Sequence, residues 1–98
     1  MTEHQLQRQA EDWLTRAGFL WHHCAEPWRC RGPRGFPDLV AVGRGLVVSE
    51  LKGPRIHWEA GQLDWRYTLQ AAGVDYQLWQ EHHWRRGIAQ AHLRAISR

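Results

Sequence analysis

Lysine occurs once in these 98 residues and cysteine only twice, and no apolar run approaches the roughly 18 to 20 residues of a membrane span. The opening stretch MTEHQLQRQAEDW has no apolar secretory core, so a cytoplasmic protein with no membrane attachment is expected. Cys24 and Cys30 are too few to staple a fold and are expected as reduced thiols. No internal repeat or low-complexity linker breaks the chain, and its length suits one compact domain over 1–98. What is there is ordinary globular material, with 43% hydrophobic and 23% charged residues. Thirteen basic residues against ten acidic ones give a formal charge of +3, which permits an anionic partner without requiring one. Twelve of the thirteen are arginines, and there are seven tryptophans and seven histidines. A GC-rich coding background accounts for the arginine and tryptophan excess, but not for the one lysine, Lys52.

Thr2 with Gln5 forms a capping-box pattern. Leu6, Ala10, Trp13, Leu14 and Ala17 then mark one apolar face, predicting a helix over about 3–17 that ends at Gly18. A short strand is expected at Phe19 to Trp21, followed by a basic loop over 25–35 holding Arg29, Arg31 and Arg34. Two apolar runs, 38–42 and 46–51, are joined by Gly43, Arg44 and Gly45 and read as a hairpin. Val40, Val42, Leu46 and Val48 share one side of it, and Leu39, Ala41, Val47 and Leu51 the other, so helices are expected over both faces. A helix over 59–72, a strand over 74–79 and a last helix over about 88–96 follow. The fold class is α/β, in the order α-β-β-β-α-β-α, and His82 and His83 are expected in an exposed turn.

Three charged residues interrupt the hairpin. With a three-residue loop Val42 pairs with Leu46, and the same register sets Asp38 opposite Glu50, with Lys52 on the same face. Opposed Cβ atoms on neighbouring strands lie about 4.5 to 5.5 Å apart, so two carboxylates there repel unless a cation joins them. Mg²⁺ suits such a place, because it takes one or two carboxylates together with substrate phosphate oxygens. It would activate water and stabilise a phosphodiester transition state, and an ammonium alongside adds a compact charge. The plainer alternative is an edge-strand ion pair between Glu50 and Lys52, with Asp38 merely starting a strand.

Gly35-Phe36-Pro37-Asp38, eleven residues, then Glu50-Leu51-Lys52 resembles the PD-(D/E)XK nuclease motif. In order along the chain, Glu3, Leu6, Gln7, Gly18, His23, Gln62, Trp65, Gly73 and Trp79 extend the likeness to the VRR-NUC branch (virus-type replication and repair nucleases), in its small stand-alone phage and prophage form. The resemblance implies a restriction-endonuclease-like core with a mixed central sheet and helices on both faces. It implies Mg²⁺ or Mn²⁺ held by Asp38, Glu50 and the Leu51 carbonyl, Lys52 acting on the nucleophilic water, and Gln62 supporting the site. Glu3 or Gln7 from the first helix, and His23, are supporting candidates. The implied activity is DNA endonuclease cleavage of branched, Holliday-junction-like substrates by a homodimer, in a bacterial host cell and phage or prophage encoded. The competing class is a non-catalytic DNA-binding or phage accessory module that retains the fold.

Arg29, Arg31, Arg34 and Arg55 flank the proposed centre and are candidate DNA-phosphate contacts, against the alternative of plain solvated arginines. Trp28 and Trp58 are candidates for stacking on bases, against core or interface packing. His22, His23, Cys24 and Cys30 are all zinc-ligand types, but adjacent strand histidines point to opposite faces and a Cys-x5-Cys spacing lacks the tight second pair of structural zinc sites.

Overall fold

The computed structural model describes residues 1–24, 26 and 29–98, and Trp28 lies outside them. The chain runs α1 (Glu3–Arg16), β1 (Leu20–His22), β2 (Leu39–Val42), β3 (Leu46–Leu51), α2 (Gln62–Ala71), β4 (Asp75–Trp79), α3 (Glu81–Arg85) and α4 (Ile88–Arg94). The sheet order is β1-β2-β3-β4, antiparallel through the first three strands and parallel between β3 and β4. This is a mixed α/β fold with helices on both faces of the sheet, as the sequence pattern implies. No helix among the described residues is long and apolar enough to cross a membrane.

The capping box at Thr2 and Gln5 forms as expected and starts α1. Its buried stripe of Leu6, Ala10 and Leu14 packs on the sheet face carrying Leu39, Ala41, Val47 and Leu51. Trp79, Trp84, Ala89 and Leu93 close this core. Trp84 meets Trp79 and Trp13 edge-on, with ring centroids 5.6 and 6.1 Å apart, an arrangement that suits the ring quadrupoles.

Three sequence expectations change. The segment at His82 and His83 is a short helix rather than an exposed turn, because Gln80 and His83 form a reciprocal cap and Trp84 anchors the turn in the core. The Gln80 backbone N–H donates to His83 Nδ1 at 2.9 Å, and burial, with His82 alongside, lowers the affinity of that ring for a proton. Helix α2 starts at Gln62 rather than Glu59, since Gly61 adopts a left-handed conformation and stops any earlier turn. Cys24 and Cys30, expected as reduced thiols, are paired, with Cα atoms 6.6 Å apart and both sulfurs near the Glu26 carbonyl.

The second sheet face is covered unevenly. Helix α2 lies over its β3 and β4 side, where Arg66 sits above Tyr76. Farther across, the register row of Leu20, Val42 and Leu46 stays 63%, 36% and 43% exposed. An apolar pattern on both faces thus led to an expectation of full cover, whereas one ten-residue helix spans only half the sheet.

Candidate functional site

The hairpin register is the one its loop length implies: Val42 pairs with Leu46 and Leu39 with Ser49, so Asp38 at the strand entrance comes opposite Glu50. Asp38 Oδ2 accepts from the Leu51 backbone N–H at 2.8 Å, which fixes its carboxylate against β3. Glu50 is 1% exposed, and its Oε2 has no hydrogen-bond partner. Burial pushes its carboxyl up to about 10; the neighbouring Asp38 carboxylate adds to this, with a smaller push from Glu3 and an opposing pull from Lys52. A carboxyl so placed keeps its proton until a counter-charge arrives to stabilise the ionised form.

Lys52, only 4% exposed, lies on the same face. Its Nζ donates to the His57 carbonyl at 2.5 Å and to Gln62 Oε1 at 2.7 Å. Gln62 in turn donates from Nε2 to Glu50 Oε1 at 3.2 Å, and its Oε1 also accepts from the Glu59 backbone N–H. One amide at the start of α2 therefore links the buried carboxylate to the buried ammonium. Trp58 packs between two cations, with Lys52 Nζ and Arg66 Cζ each 5.3 Å from its ring, so it is a wall of this network rather than an open stacking platform.

A latch holds the two halves together. Trp65 Nε1 donates to the Pro33 carbonyl at 3.2 Å, Phe36 meets Trp65 edge-on at 4.9 Å, and the backbones at Gly35 and Gly61 touch. The loop that delivers Asp38 and the helix that delivers Gln62 are thereby one unit.

A cleft of about 130 Å³ opens beside Asp38, lined by Glu3, His4, Gln7, His23, Asp38 and Leu51. All three supporting candidates reach it. Glu3 Oε1 accepts from the Gly53 N–H at 3.2 Å. His23 Nδ1 lies 2.6 Å from the Asp38 carbonyl; a carbonyl only accepts, so Nδ1 carries a proton and donates it there. His23 thus turns to Asp38 rather than joining Cys24 and Cys30. Gln7 is 6% exposed, with its Oε1 unpartnered. Its Nε2 donates to Glu11 at 2.7 Å, a residue that the sequence reading passed over although its i+4 spacing from Gln7 was visible.

The arginines are not drawn in. Arg29, Arg31, Arg34 and Arg55 are exposed, and Arg29 pairs with Glu26 at 2.9 Å.

Among the described residues no group of three or more His, Cys, Asp or Glu side chains is set to hold a metal. The ligand-type groups gathered there are mostly oxygens: Asp38, Glu3 and Gln7 line the cleft and Glu50 lies against Asp38, and Gln7 Oε1 and Glu50 Oε2 are buried without partners. That set fits a hard divalent cation, which takes few protein carboxylates and completes its shell with neutral oxygens and water.

No protein-family model matches the chain, and no curated protein matches it in sequence. Among solved structures it is similar to Hjc, a Holliday junction resolvase from the archaeal hyperthermophile Archaeoglobus fulgidus. The TM-score is 0.53 with 21% identity, over 79% of this chain and 67% of that one. The fold is that of the restriction-endonuclease-like class.

Proposed function

We propose that this protein is a divalent-metal-dependent DNA endonuclease of the PD-(D/E)XK type, close to the VRR-NUC branch, selective for branched DNA and working as a homodimer. The observation that supports it best is the buried Asp38 and Glu50 pair, joined through Gln62 to the buried Lys52 at the edge of an oxygen-lined cleft. A purely structural role would leave these groups neutralising one another, yet Glu50 keeps a buried, unpartnered oxygen. Likeness in fold to a Holliday junction resolvase supports the substrate class.

Asp38, Glu50 and the Leu51 carbonyl would hold Mg²⁺ or Mn²⁺, whose charge lowers the pKa of water and stabilises a phosphodiester transition state. Lys52 supplies a fixed ammonium against the scissile phosphate or the attacking water, and its two acceptors, His57 O and Gln62 Oε1, restrict it to one position. Gln62 keeps Glu50 and Lys52 in register, and Trp58 shields the ammonium from solvent. His23, tied to the Asp38 carbonyl, lines the cleft. The exposed arginines at 29, 31, 34 and 55 suit phosphate contacts that position DNA without reading its sequence.

The test is cleavage of a synthetic four-way junction and of plasmid DNA with Mg²⁺ or Mn²⁺. The wild type is expected to cut the junction, and Lys52→Ala to be slower by roughly 100-fold or more. Failure of the folded, DNA-binding wild type to cut any substrate with either metal overturns the enzyme reading in favour of a non-catalytic module.

Paired incisions across a junction need two centres, which a twofold dimer supplies. The uncovered row of Leu20, Val42 and Leu46 is the surface we assign to a second copy. Leu46→Arg is expected to sediment as a folded monomer with an unchanged far-UV circular dichroism spectrum, whereas the wild type sediments as a dimer. A monomeric wild type overturns the assignment.

A further inference from the structure

Glu3, Gln7 and Glu11 fall at i, i+4 and i+8 on α1 and share one face of it. Gln7 has the unusual position of the three. It is 6% exposed and lines the cleft beside Asp38 and Leu51, and one end of its amide is bonded while the other is buried without a partner. The bonded end is settled by chemistry: an ionised carboxylate only accepts, so the atom 2.7 Å from Glu11 Oε2 is the NH₂ group. The carbonyl oxygen then lies on the side away from Glu11. Had the amide turned over, that buried, unpartnered position would hold an NH₂ group, which repels a cation.

We infer that Glu11 is a positioning residue that locks the Gln7 amide with its carbonyl oxygen toward the cation site. This rests on the metal-dependent reading above. The arrangement has a physical reason. Glu3 and Asp38 already line this cleft, and the hairpin register sets Glu50 against Asp38, so three carboxyl groups are gathered here. A further carboxylate would add to that repulsion, whereas an amide oxygen ligates without charge. An amide has two chemically opposite ends, however, and needs a partner that accepts only one of them. Glu11 does this from one helical turn away, outside the residues that line the cleft.

The experiment is Mn²⁺ titration by calorimetry on the metal-free full chain, for wild type, Glu11→Gln, Gln7→Ala, the double variant and Asp38→Asn, with a metal-free melting curve for each. Glutamine at position 11 can donate as well as accept, so it removes the bias while keeping size and helix propensity. Glu11→Gln and Gln7→Ala are each expected to weaken Mn²⁺ binding by roughly tenfold, the scale found for partners that orient metal ligands. The double variant is expected to match Gln7→Ala alone, because Glu11 acts only through the amide. Metal-free melting temperatures are expected to stay together, which a merely structural role for Glu11 would not give. Mn²⁺ binding that is lost in Asp38→Asn but unchanged in Glu11→Gln overturns this inference alone, as does a double variant whose losses add. A wild type that takes up no Mn²⁺ overturns the metal-dependent reading as well.

Discussion

Replacing Glu50 with glutamine is expected to abolish cleavage, by about 10³-fold, and in the same variant to raise the stability of the metal-free protein. Both effects have one origin. The carboxyl is buried against Asp38 and holds its proton up to about 10, against an ordinary value of 4.5. Folding therefore takes up a proton between these limits, and the stability of the metal-free chain falls as pH rises through that interval. Below 4.5 the group is protonated in folded and unfolded chains alike, and the penalty vanishes. At pH 7 it is on the order of 3 kcal/mol. Glutamine copies the protonated acid: it can donate to Asp38 and still accept from Gln62 Nε2, while removing the charge that a divalent cation needs. Melting curves of the metal-free wild type and Glu50→Gln at several pH values check this. The two are expected to coincide near pH 4 and to separate steadily toward pH 8 in favour of the variant. Equal melting temperatures throughout would show that Glu50 is not an uncompensated buried charge.

Gly61→Ala is expected to be severely damaging for a single added methyl. A Cβ there would lie 2.1 Å from the Arg34 carbonyl oxygen and 2.8 Å from its carbon, so backbone must move. The residue also has φ near +84°, where a side chain costs about 1 to 2 kcal/mol by itself. Moving the two backbones apart opens the latch of Trp65, Pro33 and Phe36, and it shifts Gln62, the next residue, away from Glu50 and Lys52. A loss of about 3 kcal/mol in chemical denaturation is expected, with cleavage slower by roughly 100-fold, the scale of a 1 Å misplacement. Gly73→Ala is the control. It shares the positive φ, at 82°, but meets nothing within 4 Å, so it is expected to show the strain of about 1 kcal/mol without the kinetic defect. If Gly61→Ala behaves like Gly73→Ala, the latch does not position Gln62.

Local rules made much of the site legible. A three-residue hairpin loop fixes which residues oppose one another, so the facing of Asp38 and Glu50 followed from counting, and strand periodicity put Lys52 on the same side. The capping box at Thr2 is equally local, which is why α1 begins where its sequence says. The helix at Glu81–Arg85 escaped notice for the opposite reason. Five residues hold too little periodicity to register, and it depends on Trp84 packing on Trp79 and on Trp13, which comes from the far end of the chain.

The lone lysine stood out in the sequence because arginine fills every other basic position, and its spacing from Glu50 gave it a chemical reading. The sequence by itself determined the element order apart from the short helix at Glu81–Arg85, the hairpin register and the three charged residues that share a face, since each follows from backbone geometry over a few neighbours. Tertiary structure alone decided that Gln62 bridges Glu50 to Lys52, that Trp58 is walled in by Lys52 and Arg66, that Gly35 and Gly61 touch, and that Gln7 hangs from Glu11 with its oxygen unpartnered. It also left the row of Leu20, Val42 and Leu46 uncovered. Those outcomes depend on where helices come to rest against the sheet. Packing of whole elements sets that, and no local pattern of residues encodes it.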